Sequence, residues 1–180
     1  TSWEDAKENG QGVPGAMIKS FQSVLEARSY IEKLHEEQDS EFVDEKDYDD
    51  LVLEDLKQNR LVAFTDGAYS SKGEQYGFGV YILEPSSSEP VEISDVVRTD
   101  KFKKSNNIGP EIFAVINALD WALAKGYTSI SIYHDYIVIS KWASGEYKAK
   151  SEIAKWFTDK LNKKYNDLLD IKFIHVPGHS

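Results

Sequence analysis

The sequence predicts an α/β domain built on a five-stranded mixed sheet with flanking helices, preceded by a small α+β module. Two observations support this prediction. Short apolar runs of strand length recur between turns rich in glycine, proline and serine, and longer segments carry apolar residues at helical spacing. With 180 residues, 41% of them hydrophobic, the chain is long enough for one domain with its own core and an appendage.

Residues 1–34 are predicted to form the small module, with a short helix that Ser2 caps and that starts at Trp3, a strand at 16–21 and a helix at 24–34. One strand and two short helices bury little surface, so we expect this module to be incomplete. Residues 35–59 follow as an acidic linker that holds 11 acids and 2 bases. We expect a solvated tether there; the alternative is one helical turn that packs on the next domain through Leu51, Leu53 and Leu56.

The main domain is predicted at residues 60–180. Three strands come first and form a meander, because short glycine- and serine-rich turns separate them. A helix after Pro110 then returns the chain so that the fourth strand lies parallel to and beside the first, by the right-handed crossover rule. The predicted strands are 60–65, 76–83, 91–98, 129–133 and 171–176, and the predicted helices are 111–124, 136–142 and a longer one that Ser151 caps and that runs to about 166.

Three acidic residues lie at the predicted ends of these elements: Asp66 after the first strand, Glu111 in the first turn of the helix, and Asp135 after the fourth strand. Each has an ordinary explanation by itself. Asp66-Gly67 is a common turn, an acid suits the positive end of a helix dipole, and Asp135 suits the N-cap of the short helix. Together they are predicted to meet at one edge of the sheet, where clustered carboxylates repel one another unless a cation joins them.

The predicted cation is Mg²⁺ or Mn²⁺, because carboxylate oxygens select hard divalent ions. Two such ions, roughly 3.5–4 Å apart, activate water and stabilise the leaving oxygen in phosphodiester cleavage. The sequence has no cysteine, which excludes disulfides and thiolate metal sites. The net charge of −10 does not exclude a nucleic-acid partner, since residues 60–180 hold 15 acids and 15 bases and the acidity belongs to the linker.

Five motifs resemble type-1 ribonuclease H in order and spacing over residues 60–180. They are Thr65-Asp-Gly-Ala-Tyr-Ser-Ser71, Tyr76-Gly-Phe-Gly-Val80, Asn107-Ile-Gly-Pro-Glu111, Tyr133-His-Asp135 and His175-Val-Pro-Gly-His-Ser180. The resemblance implies a ribonuclease H-like fold and an endonuclease that cleaves the RNA strand of RNA–DNA hybrids with two Mg²⁺ ions. It also implies that Asp66, Glu111 and Asp135 are three of four carboxylate ligands.

The fourth ligand of the family pattern is an Asp several residues after the Gly-His-Ser motif. The sequence stops at Ser180, so this Asp and the usual C-terminal helix are missing from the pattern. Two expectations stay open: the sequence is a fragment, or activity is weakened or lost. His179 matches a mobile histidine that assists proton transfer or product release beside the second metal; its alternative is an ordinary surface-loop histidine.

The resemblance also assigns residues to the substrate. Asn107 contacts the hybrid, and a loop after the first Asp lies against the substrate backbone, although Ile108 replaces a commoner polar residue. In the preceding module, Trp3 and Lys19 match residues of a hybrid-binding domain that face the nucleic acid, and Ile18 replaces an aromatic stacking residue. The loop residues are Gly67, Ser70, Ser71 and Lys72.

A basic stretch adds a further expectation about nucleic acid. Seven lysines lie between Lys141 and Lys164, against three acids, with Trp142, Tyr147 and Trp156 among them. This pattern suits a ridge that follows a phosphate backbone, with Lys148 as a substrate contact, although we expect Trp156 itself to belong to the core.

The expected protein is therefore a cytoplasmic, monomeric ribonuclease H with no membrane segment. One alternative is a protein that binds hybrids without turnover. The other is a related nuclease acting on DNA, such as a resolvase or transposase core, and the hybrid-binding motifs argue against it.

Overall fold

A computed structural model describes residues 45–70, 75–97 and 108–176, with the backbone alone at residues 45–47, 69, 70 and 75. The chain divides into two compact units after Glu41, and all described residues belong to the second unit, Phe42–Ser180. The elements predicted for residues 1–34 lie outside the described residues, so the division into module, linker and main domain stays a prediction. Within the described ranges, every helix is too short or too polar to cross a membrane.

Five strands of the described chain form one mixed sheet: β1 (Leu61–Ser70), β2 (Gln75–Leu83), β3 (Val91–Val96), β4 (Ser129–His134) and β5 (Asp170–His175). Their spatial order is β3-β2-β1-β4-β5. The first three strands are antiparallel neighbours, as the predicted meander requires. β4 is parallel to β1, and β5 is parallel to β4. The predicted mixed sheet and its crossover are therefore confirmed.

The described helices are α1 (Glu45–Lys57), α2 (Ile108–Ala124), α3 (Val138–Ala143) and α4 (Glu152–Lys160). Ser151 caps α4 as predicted, because its Oγ accepts the backbone N–H of Ala154 at 3.3 Å. The predicted continuous helix to about residue 166 is instead α4 followed by a π-helical turn, Leu161–Tyr165. Both end residues of this wider turn are buried in the core.

The core lies between α2 and one face of the sheet. Ile112, Val115 and Leu119 of α2 are fully buried, and they belong to the same cluster as Leu61 of β1 and Ile82 of β2. Burying a large aliphatic side chain contributes about 1.5–3 kcal/mol, so this face fixes α2 on the sheet. The first turn of α2 is thereby held beside the middle of β1.

The first strand is longer than predicted, and this changes the position of Asp66. Pairing of β1 with β4 ends at Phe64 and Tyr133, whereas its pairing with β2 continues to Ser70. The sequence suggested that Asp66 lies in a turn at the end of the first strand. In the structure it lies inside β1. It stands where β1 has lost one neighbouring strand, which leaves its side chain exposed.

The predicted acidic linker requires a second correction, because residues 45–57 of the 35–59 segment form helix α1. The solvated tether is wrong for these residues, and so is the expected role of two leucines, since Leu51 and Leu53 are 39% and 53% exposed. The better-covered side chains are Tyr48, Val52, Asp55 and Leu56, which share one face of the helix.

Asp55 connects α1 to the sheet through a charge network that the sequence did not reveal, in which Asp55 and Arg60 are buried and Lys172 and Asp170 are exposed. Arg60 is buried, with its Nε 3.8 Å from Asp55 Oδ1 and its Nη2 in direct contact with the Asp170 carboxylate. Lys172 Nζ lies 3.1 Å from Asp55 Oδ1, and Tyr133 Oη donates to Asp55 Oδ2. Because paired charges tolerate burial and isolated ones do not, this network holds α1 against β4 and β5.

Candidate active site

Asp66, Glu111 and Asp135 come together at one edge of the sheet. One carboxylate oxygen from each lies within 4.8 Å of the others, which is close enough for all three to share a metal ion. Asp66 and Asp135 are exposed, whereas Glu111 is only 5% exposed. The structure therefore brings together the three acids that the sequence singled out.

Each acid is placed by a different element. Asp66 projects from β1, Glu111 lies in the first turn of α2, and Asp135 directly follows β4. The N-cap of α3 is Ile137, which makes no side-chain capping bond. The capping explanation for Asp135 is therefore wrong, and the Asp135 carboxylate is available to the cluster.

Gly67 fixes the distance between β1 and Glu111. Its backbone N–H donates to Glu111 Oε1 at 2.8 Å. A Cβ at this position would press on the backbone nitrogen of Glu111 and lie 2.8 Å from the carbonyl carbon of Pro110. Only glycine allows the strand and the helix end to approach this closely.

The surroundings of Glu111 favour its protonated form. Burial raises the pKa of Glu111 to about 8, the charges of Asp135 and Asp66 add to the rise, and the Gly67 hydrogen bond opposes it. Its Oε2 is buried and has no hydrogen-bond partner among the described residues. A buried oxygen without a donor, beside two exposed carboxylates, fits a hard divalent cation.

The structure describes only some of the other predicted site residues. Lys148 is exposed between α3 and α4, and Ser70 pairs with Gln75 through the β1–β2 ladder. Trp156 packs on the core with its ring centroid 5.6 Å from that of Phe113, as expected. The remaining predicted residues lie outside the described residues: Trp3, Lys19, Ser71, Lys72, Asn107 and His179.

Sequence reasoning missed two histidines next to the cluster. His134, the last residue of β4, is fully buried, and His175 lies beside it on β5 with ring centroids 5.9 Å apart. Burial, together with the neighbouring His175, lowers the pKa of His134 to about 4, so this ring is neutral at pH 7. Both histidines stand inside motifs that carry the family resemblance, Tyr133-His-Asp135 and His175-Val-Pro-Gly-His-Ser180, and this is the signal in the sequence that could have found them.

Comparison with known families identifies the family of the domain that carries this cluster. The family model described as RNase H matches residues 58–180, which include all three acids and the whole sheet. The chain belongs to the RNase H family. The resemblance drawn from the five motifs is thereby confirmed, and the three acids occupy one site in an RNase H fold.

Solved RNase H structures share this fold. RNase H1 from the halophilic archaeon Halobacterium salinarum is 21% identical, with a TM-score of 0.55 over 66% of this chain and 86% of that chain. The N-terminal RNase H domain of rv2228c from Mycobacterium tuberculosis is 20% identical, with a TM-score of 0.55 over 66% and 88%. LC11-RNase H1, solved in complex with an RNA/DNA hybrid, is 21% identical, with a TM-score of 0.53 over 66% and 86%. A search of curated protein sequences returned no match.

Proposed function

We propose that this RNase H protein hydrolyses the RNA strand of RNA–DNA hybrids by two-metal-ion phosphodiester cleavage, with Mg²⁺ as the ion or Mn²⁺ in its place. The convergence of Asp66, Glu111 and Asp135 within 4.8 Å carries the proposal. Family membership supports the choice of reaction, and the hybrid bound to LC11-RNase H1 supports the choice of substrate. Since one chain provides all three ligands, we propose that it acts as a monomer.

The three carboxylates would hold the ions, and Glu111 would release its proton as they bind. Two bound ions supply an activated water and stabilise the leaving oxygen. The Gly67 N–H keeps Glu111 Oε1 directed by a hydrogen bond, so Oε2 is the atom left for a cation. Asp66 and Asp135 face solvent, so a substrate phosphate can approach them from outside the sheet.

Residues around the cluster would select the hybrid. RNA is distinguished from DNA by its 2′-hydroxyl, which a short polar loop and an amide can contact. We assign this recognition to Gly67, Ser70, Ser71, Lys72 and Asn107. Lys148 is exposed and would contact phosphates of the DNA strand.

We assign the remaining predicted residues to steps around the chemistry. His179 would transfer a proton or assist product release. Trp3 and Lys19 would face the nucleic acid and bind the hybrid ahead of the catalytic domain.

The alternative is a hybrid-binding protein with weak or no turnover. It is favoured by the number of ligands, because the metal cluster contains three carboxylates among the described residues and the family pattern has four. Both functions require the hybrid to bind, and they differ in whether the RNA strand is cut.

The deciding experiment is a cleavage assay on a labelled RNA–DNA hybrid with Mg²⁺, run beside duplex RNA and duplex DNA. The Asp66→Asn variant should lose cleavage and keep its fold and its hybrid binding, because it removes a metal ligand and leaves the phosphate contacts. Asp167→Asn is the matched control, since Asp167 is exposed in the turn that precedes β5.

Three outcomes are informative. Cleavage of the RNA strand alone, lost in Asp66→Asn and kept in Asp167→Asn, supports the nuclease. Hybrid binding without cleavage supports the alternative. Equal cleavage by Asp66→Asn and the parent protein would refute the metal assignment.

A further inference from the structure

The turn that carries Asp135 is held by side chains outside the carboxylate cluster. Asp135 lies between β4 and α3. His134 before it and Ser140 after it are joined by a side-chain hydrogen bond. His134 Nε2 lies 3.1 Å from Ser140 Oγ. Because Ser140 Oγ donates its hydrogen to the carbonyl of Ile137, it accepts a hydrogen from His134 Nε2.

The neighbouring strand holds the same turn from the side. His134 and His175 are register partners on β4 and β5. His175 Nε2 lies 3.1 Å from the backbone carbonyl oxygen of Asp135, and a carbonyl oxygen only accepts, so Nε2 carries the donated hydrogen. The backbone N–H of Val176 donates to the carbonyl of His134 at 2.8 Å. Two consecutive carbonyls around the metal ligand are therefore fixed by the end of β5.

Helix α1 reaches this strand end as well. Tyr48 Oη donates to the backbone carbonyl of His175 at 3.2 Å. Seven residues later in the same helix, the buried Asp55 carboxylate pairs with Arg60 and Lys172. A continuous set of contacts thus runs from α1 through His175 to the backbone of Asp135.

We propose that His175 is a positioning residue for the metal site: its Nε2–H orients the backbone of Asp135, and Tyr48 of α1 holds His175 in place. Neither residue is a ligand of the carboxylate cluster. Groups that orient metal ligands contribute to affinity through the geometry they impose. Helix α1, which precedes the sheet in the chain, therefore contributes to metal binding.

The test is a Mn²⁺ titration of the full chain without nucleic acid, followed by the electron paramagnetic resonance signal of free Mn²⁺. His175→Leu fills the space and has no donor, and it should weaken Mn²⁺ binding about tenfold. His175→Gln keeps an N–H donor near the Nε2 position and should bind with close to the parent affinity. Melting temperatures of both variants report whether they fold.

Tyr48→Phe provides a second test that removes only a hydroxyl. It should weaken Mn²⁺ binding in the same direction as His175→Leu but by less. Tyr127→Phe is its matched control, because it removes a hydroxyl that donates to Glu84 outside the carboxylate cluster. Parent affinity in folded His175→Leu, equal losses in the Leu and Gln variants, or equal affinities of the two Phe variants would overturn the proposal.

The inference rests on the proposed function only in taking the cluster as a metal site. Because the titration uses no nucleic acid, the two can fail separately. A chain that binds Mn²⁺ but does not cut the hybrid would refute the nuclease and leave the role of His175 measurable.

Discussion

Glu111 is the residue whose behaviour depends most on its surroundings. In the sequence it is an ordinary acid in a first helical turn, where the dipole favours a negative charge. In the structure, burial outweighs that effect, and the pKa of Glu111 rises to about 8. Glu111 therefore holds its proton more tightly than an ordinary glutamate does.

This shift predicts how the metal-free protein responds to pH. In the folded protein the pKa of Glu111 is about 8, above its ordinary value of 4.5. The stability that Glu111 contributes is therefore fully present below pH 4.5 and is lost as the pH rises toward 8. Between these two pH values the free energy of unfolding should fall by up to about 1.4 kcal/mol per pH unit. Denaturant unfolding of the parent and of Glu111→Gln, with EDTA, measures the difference. Parallel pH profiles for the two proteins would contradict this cause.

Gly67 provides a second prediction at a single residue. Gly67→Ala should destabilise the protein by about 3 kcal/mol or lower the affinity of the carboxylate cluster for a cation. The reason is that a Cβ presses on the backbone of Pro110 and Glu111. Gly79→Ala is the control in the adjacent strand, since a Cβ there meets nothing within 4 Å. It should change stability by less than about 1 kcal/mol. Urea unfolding of both variants distinguishes a close approach from a general intolerance of β1 and β2.

At the scale of elements, α1 shows that an acidic segment can be structural. Its outward face carries the charges that suggested a tether, and its inward face carries Asp55. Asp55 tolerates burial because Arg60, just after α1, and Lys172 of β5 bring opposite charge to it. The helix is therefore attached to the sheet by charge as well as by apolar contact.

Removing this attachment should be costly. Asp55→Ala leaves Arg60 buried without one of its partners and should lower the free energy of unfolding by about 3 kcal/mol. Glu54→Ala, on the exposed side of the same helix, should change it by less than about 0.5 kcal/mol. Thermal unfolding of the two variants checks this. Equal melting temperatures would mean that α1 contributes little to the domain.

At the scale of the whole molecule, charge is distributed unevenly along the chain. The net charge of −10 belongs mainly to residues 35–59, whereas residues 60–180 are neutral overall and contain the lysine-rich stretch. A polyanionic substrate is therefore expected to approach the catalytic domain and not the acidic segment. Such binding should weaken as salt rises, because phosphate contacts release counterions.

The part of the chain before α1 is expected to add affinity and not chemistry. Trp3→Ala combined with Lys19→Ala should weaken hybrid binding at low salt by about tenfold, because both residues are expected to face the nucleic acid. Cleavage at saturating hybrid should not change. Lys7→Ala controls for loss of one positive charge in the same segment. Unchanged affinity in the double variant would show that residues 1–34 do not contact the hybrid.

The sheet, its crossover and the three acids could be predicted from patterns in the sequence. Period-2 and helical patterns are local, and the parallel placement of β4 beside β1 follows from the chirality of the crossover. Asp66, Glu111 and Asp135 were found because each stands next to a recognisable element boundary or motif.

The remaining features depend on contacts between residues far apart in the chain, and these contacts form only when the chain folds. Asp55 meets Lys172, Gly67 meets Glu111, and His175 meets the Asp135 carbonyl, and no local pattern encodes these pairs. A segment that reads as a tether forms a helix whose Asp55 pairs with distant charges, and pairing of β1 with β2 as far as Ser70 places Asp66 inside its strand. They also raised the pKa of one acid of the cluster, because burial and neighbouring charge are properties of the folded chain alone.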